Sequence, residues 1–319
     1  MMYADQFSNT VRDISIIIIN YNLSQEINDC LSSLIKIVDI DKDFNYEVII
    51  VDNNSPDKKL QETEKKFDRD NIKFYYLDEN VGFGKGCNYG FSKASGEYIC
   101  FLNPDTIIKE NIFVPILNVF KNDKSIGIVG PKQQVRSPFF DFSAGFYPNI
   151  LFELFNLFVV GVFFEGFIVF ILTKINKNKI LKVDWILGAS IFIKSEMFAA
   201  VDGFDKDYFM FYEEVDLCKR VSDKGFKIVY YPQYSIHHIG SVSGKKDYTL
   251  YTIRTYSSKY LYISKHYKSF YKLLMKSLLY LQLFSQMIIW TILYPTNKQK
   301  SKQKLNAFIY LIKNKMRLN

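Results

Sequence analysis

The chain is poor in cysteine and histidine, and its last quarter lacks acidic residues altogether. Its 319 residues include four cysteines and three histidines. Cys30, Cys87, Cys100 and Cys218 are scattered, with no pair at the spacing of a zinc or redox motif. That excludes a disulfide scaffold, a zinc finger and a thioredoxin-like centre, and we expect a reduced, cytosolic setting. The opening stretch MMYADQFSNTVRD lacks the basic-then-apolar pattern of a signal peptide, which points the same way. Residues 248–319 hold thirteen Lys or Arg and no Asp or Glu. The first 247 then carry 28 basic against 33 acidic residues, so the net charge of +8 hides two differently built parts. We divide the chain there.

What is abundant is aromatic, with 29 Phe and 23 Tyr. The length suits one large α/β domain with an appendage, or two modest domains. ISIIII (14–19) is a continuous apolar run, as expected for a parallel strand covered on both faces. Ser24 is placed to cap the helix that follows. Ile27, Cys30, Leu31, Leu34, Ile35 and Val38 recur at helical spacing. Further strands are expected at EVIIVD (47–52), IKFYYL (72–77) and EYICFLN (97–103), with a polar helix near 57–68 between the first two. This alternation predicts a doubly wound α/β sheet.

In such sheets ligands bind beyond the carboxyl ends of the strands. Tyr21, Asp52, Asn80-Val81-Gly82 and Asn103-Pro104-Asp105 all follow strands directly and should share one edge. Pro104 stops its strand and holds Asp105 just past the end; taken alone, the segment reads as an ordinary turn. The glycines of ENVGFGKGCNYG (79–90) permit close backbone approach to a ligand. They do not make a dinucleotide fingerprint, because Cys87 stands where the third glycine belongs. Glu213, Glu214 and Asp216 crowd three acids into the start of a helix, after the aromatic run YFMFY (208–212). Helix-dipole stabilisation accounts for acids there; so does a general base. His237 and His238 follow the strand IVYY and a turn at Pro232. One imidazole with Asp105 could hold a divalent ion, or the pair could simply end a strand.

Two apolar stretches stand out. Residues 150–172 approach a bilayer's length but contain Glu153 and Glu165, so a helix or hairpin lying at the membrane interface fits better than a span. A buried core helix is the alternative. Residues 273–294 are flanked on both sides by lysines, which suits an anionic inner leaflet better than nucleic acid. Spanning and lying flat stay open for this segment.

Together, SIIIINYN (15–22), VIIVDNNSPD (48–57), ENVGFGKGCNYG, FLNPDT (101–106), the segment 184–220 and HIGSVS (238–243) resemble glycosyltransferase family 2, in its bacterial rhamnosyltransferase-like branch. The resemblance covers roughly residues 13–245 in the family's order. It implies a GT-A-type catalytic domain over 1–247 with a helical, membrane-associating tail over 248–319. It also implies inverting transfer of a sugar from a nucleoside diphosphate. By position, Tyr21 would flank the nucleobase, Asp52 would hydrogen-bond it, and Asn80, Gly82 and Gly86 would shape the donor pocket. Asn103-Pro104-Asp105 stands where the family carries Asp-X-Asp, so Asp105, completed by His238, would bind Mg2+ or Mn2+. Trp185, Gly188 and Ala189 match the acceptor side, and Glu214 the general base. Asn103 in place of Asp lowers the charge of the metal site and raises the alternative of a silent scaffold. Glu214 in place of the usual Asp keeps Glu213 open as the base. The expected partners are a nucleotide-sugar donor, a lipid-linked glycan acceptor and an anionic membrane, with no nucleic acid. The expected location is the cytoplasmic face of a bacterial inner membrane, with rhamnose from dTDP-rhamnose the leading donor.

Overall fold

A computed structural model describes residues 12–40, 44–134, 141–157, 161–176, 179–239 and 247–317. The first half is built from β1 (Arg12–Asn20), α1 (Ser24–Val38), β2 (Tyr46–Asp52), α2 (Leu60–Lys66), β3 (Ile72–Tyr76), α3 (Phe83–Phe91) and β4 (Gly96–Leu102). There follow β5 (Thr106–Ile108), α4 (Phe113–Asn122), β6 (Ile126–Gln134), β7 (Ala144–Gly145), α5 (Ile150–Asn156) and α6 (Gly161–Ile175). The chain continues through β8 (Leu181–Val183), β9 (Trp185–Ile186), β10 (Ser190–Lys194), α7 (Ser195–Ala200), α8 (Glu213–Asp223) and β11 (Lys227–His238). The tail is α9 (Tyr248–His266), α10 (Ser269–Ile292) and α11 (Lys298–Lys313).

The main sheet runs β3-β2-β1-β4-β10-β6-β11-β5, with β8 added beside β11. β1 through β4 are mutually parallel, whereas β10 is antiparallel to both its neighbours. The apolar run of β1 explains its central place. Ile14, Ile16 and Ile18 face the core beneath α1, while Ile17 and Ile19 face the opposite core, as a period of two requires. All six residues of the predicted α1 stripe are buried. Removing one such side chain, as in Leu31→Ala, costs about 2–5 kcal/mol.

Three local expectations are corrected. Ser24 does not cap α1; it is the first helical residue, its hydroxyl is unpartnered, and the Asn20 side chain accepts from Leu23 N instead. The polar helix is shorter than 57–68, beginning at Leu60. Pro232 makes no turn: β11 runs on to His238 through a register shift between Tyr231 and Ser235, an irregularity that tolerates a residue without an N–H.

The apolar insert folds as the packed helices α5 and α6, and α5 lies against α10. Its carboxylate Glu153 is buried and paired with Lys259 of α9 at 2.5 Å, with Gln282 of α10 donating to the same oxygen. The tail helices share their own core around Met275, Leu279, Phe308 and Leu311. Among the described residues, α10 is the one helix long and apolar enough to cross a membrane, and only 28% of its most apolar stretch is buried.

Candidate active site

Register decides which side chains meet. Asn20 pairs with Asp52, and Ile18 with Leu102, so β1, β2 and β4 end along one edge. β10 runs the other way, so the residues before it, Gly188 and Ala189, arrive at that same edge. Ala189 O accepts from Asn103 N at 3.0 Å, which ties the segment before β10 to the Asn-Pro-Asp turn.

At the ends of β1 and β2 the polar groups are woven together. Asp52 is buried, and its carboxylate accepts from Asn20 Nδ2 at 2.6 Å, Ser55 Oγ at 2.6 Å and Ser55 N at 2.9 Å. It closes its own loop and keeps capacity for one further donor on Oδ2. Asn53 donates to Asn80 Oδ1 and Gly82 O and accepts from Val81 N, so it clamps the glycine loop. Gly82 has φ +87°, and a Cβ there would lie 2.4 Å from the Phe209 carbonyl oxygen. Gly86 is seated against the Ile19 side chain, where a Cβ would fall 3.2 Å away. Tyr21 stays 41% exposed at the mouth of this edge, free to meet a flat ring.

Asp105 and His238 come together as expected. β11 brings His238 opposite Thr106, and Ile239 N donates to Asp105 O. His238 Nε2 lies 3.3 Å from Asp105 Oδ1. A carboxylate and an imidazole this close would supply two ligands to one divalent ion. No third His, Cys, Asp or Glu joins them among the described residues. The other positions would fall to phosphate oxygens and water. Ser243 of the HIGSVS motif lies outside the described residues.

The three acids of α8 have three environments. Phe211 and Tyr212 precede them with φ of +70° and +65°, a left-handed pair that costs of order 1–3 kcal/mol per residue and sets the helix start. Glu213 turns under α3, close to Gly84 and Cys87. Burial, then the neighbouring Glu214 charge, pushes its carboxyl well up. Glu214 lies against Gly188, whose added Cβ would be 3.7 Å from the Glu214 Cβ. Burial raises its carboxyl to about 7, against the pull of nearby backbone amides. Asp216 is the opposite case. Burial would raise it, but His266 at 2.6 Å and Arg220 at 2.7 Å hold it below the usual carboxylate range. Trp185 anchors its Nε1–H on Phe146 O at 2.9 Å and packs against the cluster of Tyr208, Val215 and Tyr262.

Sequence reasoning missed one whole contributor. α9 covers the aromatic run side chain by side chain: Tyr251 on Phe211, Arg254 over Phe209, Tyr262 on Tyr212 and Lys265 over Tyr208. Ser258 donates to Met210 O. Positions 251, 254, 258, 262 and 265 recur at intervals of three and four, one face of the helix. That spacing was visible, but nothing in it named the run it would cover.

Residues 15–166 match the family model described as glycosyl transferase family 2. The chain is 27% identical over 227 residues to the rhamnosyltransferase WbbL of Escherichia coli K12, covering 66% of this chain and 78% of that one. Over 117 residues it is 31% identical to the minor teichoic acid biosynthesis protein GgaB of Bacillus subtilis, which is 35% of this chain and only 12% of that protein. The mannosyltransferase PcManGT of Pyrobaculum calidifontis, solved with GDP-Man and Mn2+, superposes with a TM-score of 0.57. It covers 95% of this chain and 87% of that one at 14% identity, a likeness of fold. The mixed sheet, the order of its motifs and the family match converge on a glycosyl transferase family 2 domain over residues 15–166, set in a GT-A-like fold.

Proposed function

We propose that the enzyme is an inverting, metal-dependent glycosyltransferase that moves a sugar from a nucleoside diphosphate to a hydroxyl of a lipid-linked glycan. The carrying observation is Glu214, raised to about 7 and set against Gly188 near the edge where Asp105 meets His238. Glu214 takes the proton of the acceptor hydroxyl, whose oxygen forms the new bond to the anomeric carbon from the face opposite the diphosphate. The bond from that carbon to the diphosphate oxygen breaks, and its electron pair leaves with the diphosphate. A divalent ion on Asp105 and His238, when bound, supplies charge that stabilises this leaving group. Burial and the neighbouring Glu214 charge push the Glu213 carboxyl well up, which favours Glu214 as the base.

Rhamnose is the first donor to test, supported by the rhamnosyltransferase relative. Acid-free basic helices and the exposed apolar faces of α6 and α10 support a place on an anionic cytoplasmic leaflet, with 1–247 as the catalytic domain and 248–319 as the membrane-facing tail. Thermal shift with dTDP-rhamnose, UDP-sugars and GDP-sugars, each with and without Mn2+, tests the assignment. One donor should raise the melting temperature in a metal-dependent way; a ligand at 100 times its Kd adds about 2.7 kcal/mol. Folded protein that no donor shifts would favour a silent scaffold.

A further inference from the structure

Arg254 sits on the tail helix α9, yet it faces the donor side. Its guanidinium lies 4.5 Å over the Phe209 ring. The Phe209 carbonyl accepts from Phe83 N at 3.0 Å and occupies the space beside Gly82. Arg254 is thus one side chain away from the glycine loop that shapes the donor pocket. Tyr21, at the end of β1, is also close enough for its charge to reach Arg254, as is Asp247.

The guanidinium has no anion of its own. Arg69 and Arg220 each hold a carboxylate at 2.7 Å, whereas Arg254 takes part in no ion pair among the described residues. It is half-buried, where a cation without a partner is unfavourable. A planar fork of donors at that position suits phosphate oxygens. The only protein groups assigned to the diphosphate so far, Asp105 and His238, would act through a metal.

We propose that Arg254 binds the phosphates of the nucleotide donor directly, closing the donor site from the tail. This rests on the glycosyltransferase reading above. It gives α9 a part in substrate binding that is separate from any membrane role.

The test is calorimetric titration of UDP, dTDP and GDP, and of the matching monophosphates, in the presence of Mn2+. Wild type, Arg254→Met and Arg254→Lys are compared. Methionine keeps an apolar stem over Phe209, and melting curves establish that each variant is folded. The diphosphate that wild type binds should weaken about tenfold or more in Arg254→Met. The monophosphate should lose less, and Arg254→Lys should lie between. An unchanged diphosphate affinity, or equal losses for diphosphate and monophosphate, overturns the assignment to the phosphates. If wild type binds none of the three nucleotides, the donor reading itself falls and takes this one with it.

Discussion

The proposed donor edge and the start of α8 lie near one another but treat their polar groups in opposite ways. At the donor edge Asn20, Asp52, Asn53, Ser55 and Asn80 satisfy one another, and the loops they hold are fixed by that exchange. At the start of α8, one carboxylate oxygen of Glu213 and one of Glu214 are buried without a partner. Leaving such an atom unpaired costs about 1–3 kcal/mol. Three residues from Glu213, Asp216 is fully engaged with Arg220 and His266. Satisfied groups hold shape, and unsatisfied ones keep a changeable proton available.

The strongest way to break this contrast is Glu214→Gln. The amide is nearly isosteric but cannot accept the acceptor's proton, so turnover should fall about 10²–10⁴-fold. A variant that retains wild-type turnover would remove Glu214 from the mechanism and return attention to Glu213. The same variant reports on the proton. Because the Glu214 carboxyl stands at about 7, above its ordinary 4.5, the folded protein keeps a proton that the unfolded chain releases in that interval. Wild-type stability should therefore fall as pH rises from about 4.5 to 7, and this part of the slope should vanish in Glu214→Gln. Activity should rise through the same window as the base ionises. Melting temperatures and initial rates between pH 5 and 8 follow both effects, using the scale of about 1.4 kcal/mol per pK unit.

Asp216→Asn attacks the satisfied member of the trio. It leaves Arg220 and His266 facing a neutral amide in a buried place, and loss of one partner of such a pair costs about 3–5 kcal/mol. Denaturant melts should show the loss most clearly above pH 5. Protonation of Asp216 in the wild type removes the same interaction at low pH, because its folded carboxyl lies below the ordinary range. A variant as stable as wild type would mean that α9 is held on α8 by apolar contacts alone.

Much of this site could be read from the chain because its chemistry sits at strand ends, and strand ends are marked by composition. The run of isoleucines fixed the place of β1, Pro104 marked the stop of β4, and Asp105, His238 and Glu214 stood in recognisable motifs. Asn20, Asn53 and Ser55 were not singled out, since their roles depend on which residues the sheet register sets side by side. His266 was missed for a different reason. It meets Asp216 from 50 positions away, in a segment whose lysines and apolar runs drew attention to the membrane. Composition marked the tail as basic and apolar, but it carried no trace of the face of α9 that grips the aromatic run.

Two glycines sharpen the comparison at its smallest scale. Gly82 belongs to the fixed donor edge. An added Cβ would meet the Phe209 carbonyl oxygen at 2.4 Å, and its φ of +87° is unfavourable for any side chain. Gly82→Ala should therefore cost about 1–3 kcal/mol and displace the donor loop, raising the donor KM. Gly188 belongs to the open corner. Its added Cβ would rest at ordinary contact distance, 3.7 Å from Glu214, in a backbone conformation that alanine accepts. Gly188→Ala should leave stability within about 0.5 kcal/mol of wild type. The methyl group would still occupy space beside Glu214, the proposed base, so the acceptor KM should rise while the donor KM stays put. If the two substitutions instead impair donor and acceptor alike, the two regions are one mechanical unit, and the division between shape and chemistry drawn from their hydrogen bonds does not extend to their function.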